Sequence, residues 1–481
     1  TQTISGNLRV TGELYSDDFK PDNLYTTGIG TFLSGINPTD AQRNSIVGES
    51  AGDSFSGTDA TDNTLVGYDS GTAITTGDNN TAVGSYALDA TTTASNNTAL
   101  GSHALTSNTT GANNTAVGYA TLDSNTTASE NTAVGRAALQ SNTTGANNTA
   151  LGDQALDQNT TASNNTAVGN DALAQNTTGA QNAALGSNTL DANTTGQANT
   201  ALGYAALGAN TTASYNTGLG YAALYDNTTG ADNTAIGRDA LSNNTTASDN
   251  TAVGSGSLDA NTTGHSNTGI GKDALGGNTT AHANTAVGHE ALLTNSTGAN
   301  NVAIGNDALK LNTTAGDGVA IGAESLAANT TGARNVAIGY RALKDNTTVS
   351  EMTAVGSHAL QNNTTGDENV AVGHDALTTN TTGSGSVAVG WEAGKAVTTG
   401  DYMVLIGRRA GYSLTTADSN VAIGNAALGA ETSGENNTAV GRSALDNQDG
   451  ASNNTAVGHH AGDAVTTGSA NAAVGAFALD A

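Results

Sequence analysis

A chain of 481 residues with 62 glycines, two prolines, no cysteine and 4% aromatic side chains is not a globular mixture and points to a repeat architecture. With 14 Lys and Arg against 42 Asp and Glu the net charge is −28, which repels phosphate backbones and anionic membranes and argues against nucleic acid as a partner. No run of 18 apolar residues occurs, so no membrane insertion is expected, and without cysteine no disulfide or thiolate metal site can form.

In chain order, residues 1–43 read as a separate N-terminal module holding both prolines, Pro21 and Pro38, with two short strands around turns across residues 4–14. The first six residues do not resemble a signal peptide, and an opening on Thr1 rather than Met reads as processing or trimming. Residues 44–481 are a repeat array. After Gly48 and Gly67, a marker glycine recurs every 17 residues from Gly84 to Gly475, which makes 26 coils. The marker is called position 0 below.

Position −1 is Val, Leu or Ile in all 26 coils, and position −3 is usually Thr but becomes Val in several coils, among them Val302, Val319, Val336, Val370, Val387 and Val421. A spacing of two on one face is the signature of a strand. Position +4 is Leu, as in Leu105, Leu122, Leu139 and Leu156, and forms a second apolar column. Where it is Gly, at Gly52, Gly71, Gly394, Gly411 and Gly462, the residue at +7 switches from its usual Asn to Phe55, Ile74, Val397, Leu414 and Val465. Two positions therefore compete to fill one hole in the core, since a void or an overpacked site would each be destabilising. The fold expected is all-β: a parallel β-solenoid, or β-roll, in which two short extended segments alternate with two turns in each coil. At about 4.8 Å per coil, 26 coils give a rod on the order of 125 Å long.

Asn at −4 and in the Asn-Thr-Thr turn suits stacked ladders, because Asn and Gly accept the left-handed backbone that sharp bends need. A 34-residue superperiod, in which Asn-Thr-Thr-Ala (Ala128, Ala162, Ala247) alternates with Asn-Thr-Thr-Gly (Gly111, Gly145, Gly230), reads as the trace of a duplication rather than a structural requirement. The Ala columns at −2 (Ala82, Ala99, Ala116) and +3 (Ala87, Ala104, Ala138) are expected to form a smooth outer face on which copies pack as a homotrimer, because two large aliphatic side chains per coil leave a single roll under-cored.

The motif Asn301-Val302-Ala303-Ile304-Gly305, repeated at residues 335–339 and 420–424, resembles the head repeat of trimeric autotransporter adhesins, the YadA-like left-handed β-roll. The commoner Asn-Thr-Ala-Val-Gly form, followed by Ala-Leu and Asn-Thr-Thr-Gly, is similar to repeats of bacteriophage tail-fibre proteins, and residues 4–14 are similar to fibre attachment or collar segments. The resemblance implies left-handedness, trimerisation and surface binding. It places the protein on a virion, as a tail fibre, or at an extracellular or cell surface. The heptad stalk and membrane anchor of the adhesins are not seen, nor is the self-cleaving C-terminal chaperone of many phage fibres. The array runs to Ala481 without a polar cap, so it reads either as a processed fibre or as a subunit that stacks end to end into a filament.

Chemistry is sparse. No phosphate-binding glycine motif, calcium repeat or carboxylate dyad stands out, so no enzyme activity and no cofactor are expected. His103, His289, His358, His374, His459 and His460 follow marker glycines in columns that also carry Tyr, Ser, Asp and Arg, and are expected to be solvated surface rather than metal ligands. The same columns carry the large exposed aromatics Tyr119, Tyr204, Tyr221, Tyr340 and Trp391. Tyr204 and Tyr221 lie one coil apart with Tyr215 and Tyr225 nearby, so these four and Trp391 are the candidate binding residues for a cell-surface glycan or protein receptor, with sugar rings stacking on the tyrosines. Ice binding by Thr columns is disfavoured because adjacent Thr residues in a turn point to different sides.

Overall fold

The computed structural model describes residues 42–55 and 59–480. The N-terminal module expected over residues 1–43, including its two strands, lies almost wholly outside the described residues. The rest is all-β: 26 three-residue strands, β1 (Ser45–Val47) to β26 (Ala472–Val474), with no helix among the described residues. Each strand pairs in parallel and in register with the next, as in Thr200↔Thr217 and Leu202↔Leu219, and the chain is a β-solenoid of 17-residue coils. Only β1 and β2 (Thr64–Val66) stand 19 residues apart.

Each coil holds one strand, not two extended segments. The segment around +4 fails to extend because Leu88, Leu105 and Leu122 adopt φ of +54°, +54° and +52°, and the residue at +2 is left-handed as well. A left-handed backbone excludes β-branched residues, which is why this column holds Leu, or Gly, and never Val or Ile. Outside the strand, backbone groups still bond to neighbouring coils: Leu122 N–H donates to Ala138 C=O at 3.1 Å above, and Ala120 N–H to Ser102 C=O at 3.0 Å below. The marker glycine meets two demands. Gly118 has φ +139°, and a Cβ there would lie 2.4 Å from the Gly135 carbonyl oxygen of the next coil. No L side chain fits.

The interior is made of small and polar residues. Ala at −2 and +3, Leu at +4 and Asn at −4 and +7 are fully buried along the rod. The Asn side chains form two ladders, as expected, although the backbone at these positions is not left-handed. Asn114 Oδ1 accepts the Asn131 N–H of the next coil at 3.0 Å, and Asn125 Nδ2 donates to Asn108 Oδ1 at 2.9 Å. Asn114 Nδ2 and Asn125 Nδ2 then converge on the Ala128 carbonyl at 2.9 and 3.0 Å, closing the turn. Left-handed conformations fall instead on +2, +4 and +12.

The Ala columns therefore line the core and form no outer face. The strand's other two positions point outward: the middle residue is buried in β4–β26, while −3 and −1 are half-buried or exposed, with Leu100, Leu151 and Leu185 at 46%, 46% and 47% exposure. The coil interior is too narrow for Val or Ile beside Leu, so the aliphatic column sits outside and Ala inside. The glycine swaps behave as expected and, in the Gly71 and Gly411 coils, involve a third residue. Leu65 and Leu405 replace Ala at −2, and a Cβ on Gly71 or Gly411 would fall 2.8 or 2.7 Å from them and 2.9 or 2.7 Å from Ile74 or Leu414.

The superperiod also has a physical basis. A Cβ on Gly111 would meet the Ala128 carbonyl at 2.1 Å, and the residue after several such glycines donates its N–H to a Ser on the coil above, as Ala112 to Ser129 Oγ and Ala146 to Ser163 Oγ, both 3.0 Å. Gly-Ala and Ala-Ser coils interlock as pairs.

Candidate functional site

Stacking at a fixed register turns each sequence column into a spatial row, so residues 17 apart become neighbours. Tyr204 and Tyr221, both at +1, stack with ring centroids 5.6 Å apart and planes inclined by 16°. Tyr225, at +5, lies over Gly208 of the coil below: a Cβ on Gly208 would stand 3.0 Å from the Tyr225 ring. Any side chain at position 208 would displace that ring. The absence of one opens a groove of about 600 Å³ across four coils, walled by Tyr204, Tyr221 and Tyr225 and floored by Ala205, Ala209 and Ala222.

Asp191, Asp226 and Asp239 supply the groove's charge, and no Lys or Arg lines it. Partial burial pushes the Asp191 carboxyl above its ordinary value, with the neighbouring Asp171 charge adding to the effect. Arg238 holds Asp239 from outside the groove, Nη1 to Oδ2 at 2.8 Å. Aromatic faces beside carboxylate acceptors suit a polyhydroxylated ligand: apolar C–H faces of a sugar against tyrosine, and hydroxyls donating to Asp. A lining with acids and no base disfavours an anionic ligand.

Of the five residues singled out from sequence, three line this groove: Tyr204, Tyr221 and Tyr225. Tyr215 is exposed at +12 and is not part of the lining. Trp391 shares the column of Tyr204, eleven coils further along, and its ring is occupied by the protein's own cations: the Arg409 guanidinium lies 4.9 Å and that of Arg408 5.7 Å from its centroid. Arg409 is fixed in turn by Glu392, Nε to Oε2 at 2.8 Å.

A second aromatic row escaped the sequence reading. Tyr68, Tyr86, His103 and Tyr119 follow one another over four coils at centroid distances of 5.5, 5.1 and 5.9 Å. Its members are divided between two columns, Tyr68 and Tyr119 at +1 and Tyr86 and His103 at +2, so their spacings of 18, 17 and 16 hide a row that one column would show. No described helix is long and apolar enough to cross a membrane. No protein-family model matches the chain, and no curated protein matches it either.

Proposed function

We propose that this chain is a non-enzymatic structural and adhesive fibre protein: a rigid rod that associates side by side as a homotrimer through its sheet face and presents recognition grooves outward. The observation that carries this reading is the sheet face itself. Positions −3 and −1 of all 26 strands hold only Ser, Thr, Ala, Val, Leu and Ile, in a chain with 42 acidic residues. Charge is excluded from one strip along the whole rod and concentrated elsewhere, as in a surface covered by a copy of itself. Covering each half-exposed aliphatic side chain is worth on the order of 1 kcal/mol. Over 26 coils that exceeds the roughly 4–15 kcal/mol cost of association.

The sheet face replaces the Ala columns as the surface on which copies pack. The number three follows from the resemblance to phage tail-fibre and adhesin-head repeats, which also supports a place on a virion or cell surface. Tyr204, Tyr221 and Tyr225 form the groove through which such a fibre holds an uncharged surface glycan. Negative-stain electron microscopy of the purified chain tests the reading. Discrete rods on the order of 125 Å, wider than a single roll, are expected. Long filaments with an axial repeat near that length would mean end-to-end polymerisation, the alternative of an extracellular filament subunit, and thin single rods would overturn the side-by-side fibre.

A further inference from the structure

We propose that His358, His374 and Asp375 form a site for a divalent transition-metal cation of the zinc class, bridging two neighbouring coils. His358 stands at +2 of one coil and His374 and Asp375 at +1 and +2 of the next, and one ligand atom from each lies within 4.8 Å of the others. The backbone fixes the arrangement: His358 N–H donates to Tyr340 C=O at 2.8 Å and Asp375 N–H to Ser357 C=O at 3.0 Å.

The distances are those of co-ligands more than of hydrogen-bond partners. His358 Nδ1 is 3.5 Å from Asp375 Oδ1, and His374 Nδ1 is 3.5 Å from Oδ2. That is long for a hydrogen bond. Two ligands each about 2.1 Å from a tetrahedral ion stand roughly 3.4 Å apart. Two imidazoles and one carboxylate select zinc over calcium or magnesium, which take oxygen ligands, and three protein ligands leave a fourth position for water.

The scaffold generates the same constellation a second time. Asp273, His289 and Glu290 occupy the same three positions five coils earlier, with His289 Nε2 3.6 Å from Glu290 Oε1. There Lys272 holds Asp273 at 2.6 Å, Lys310 holds Glu290, and a single imidazole is present, so the second constellation is the weaker. At the first, a metal must displace two partners. Ser357 Oγ lies 3.0 Å from His358 Nδ1, and Lys395 Nζ lies 3.0 Å from Asp375 Oδ2. Lys395 keeps a partner when Asp375 turns away, because Glu392 Oε1 holds it at 2.7 Å.

Calorimetric titration of the untagged full chain with zinc chloride tests the site, with calcium chloride as the control. The expected result is a saturable zinc isotherm without a calcium counterpart. It weakens by more than about tenfold in His374→Ser and His358→Ser, since each change removes one of three protein ligands. Lys395→Ala should tighten binding several-fold by removing the competitor for Asp375, a gain that general damage to the fold cannot produce. Both columns already carry serine, at Ser357 and Ser443, so the histidine variants keep the coil, and unchanged circular dichroism checks this. No zinc isotherm in the intact chain, or equal affinity in the His→Ser variants, overturns the proposal.

Discussion

Residues 81–260 and 302–430 are built on one interior and dressed differently. Both bury Ala, Leu and Asn columns, which the second interrupts with Met352, Ser386 and Met403 at −4 and Val397 and Leu414 at +7. The first has Thr at −3 in ten of its eleven strands and two basic residues, Arg136 and Arg238. The second has Val at −3 in seven of its eight strands and seven basic residues, most of them paired across coils, as Arg341 and Lys344 with Glu324, Lys395 with Asp375 and Arg409 with Glu392. The carboxylates respond accordingly. Burial pushes Asp89, Asp157, Asp191 and Asp259 of the first stretch above their ordinary value. In the second, Lys344 and then Arg341 hold Glu324 below its ordinary value, while at Glu392 burial opposes and Lys395 and Arg409 outweigh it. The solenoid interior changes at few positions, as at Met352, Leu405 and Glu431, whereas its outer columns are free to encode different surface chemistry.

The sharpest test of a shared interior is a pair of marker substitutions. Gly220→Ala and Gly339→Ala would each place a Cβ 2.4 Å from the next coil's carbonyl oxygen at positive φ. Each should cost more than about 3 kcal/mol, seen as local loss of hydrogen-exchange protection, and to a similar extent in both stretches. Leu207→Ala and Leu343→Ala, both fully buried, should each cost about 2–5 kcal/mol. A large difference within either pair would break the claim that the interiors are equivalent.

The outer columns should separate the stretches. Val336→Asp with Ile338→Asp should weaken self-association more than Thr217→Asp with Leu219→Asp, because the second stretch has the more apolar face; sedimentation velocity across a dilution series reads this. Tyr204→Ser with Tyr221→Ser should abolish retention on neutral glycan arrays while leaving association unchanged.

The smallest effect is the response to acid, and its sign should differ. The raised aspartates of the first stretch carry a cost at neutral pH that is relieved as pH falls through their folded values, above the ordinary aspartate range near about 3.9. The depressed glutamates of the second contribute stability that is present above the ordinary glutamate value near about 4.3 and lost as pH falls through their lower folded values. Hydrogen exchange corrected for intrinsic rate should show protection rising in the first stretch on mild acidification and falling in the second at lower pH.

Much of this was legible in the sequence, because a strict period converts columns into rows without any knowledge of the fold. The 17-residue coil, the parallel register, the compensation between +4 and +7 and the meeting of Tyr204 with Tyr221 all follow from spacing alone. Which way a column faces does not. Alternation places −3 and −1 on one side, but the pairing of a small Ala with a large Val suggests the opposite of what occurs, since only the narrowness of the coil sends Ala inward. The Asn columns are legible as ladders, but the left-handed backbone expected of them falls on other positions, because a buried amide ladder and a left-handed turn both favour Asn. Tyr225 joined the groove on account of Gly208, a missing side chain one coil away. Tyr215 and Trp391 did not join it: the first stands in another column and the second lies eleven coils along, with Arg409 against its exposed ring.

The central claim is that the charge-free sheet face holds copies of this chain together, and sedimentation equilibrium of the intact chain against the Val336→Asp, Ile338→Asp variant tests it most directly. A mass of three chains for the former and a shift toward one for the latter are expected. A single-chain mass for the intact protein at micromolar concentration would contradict it.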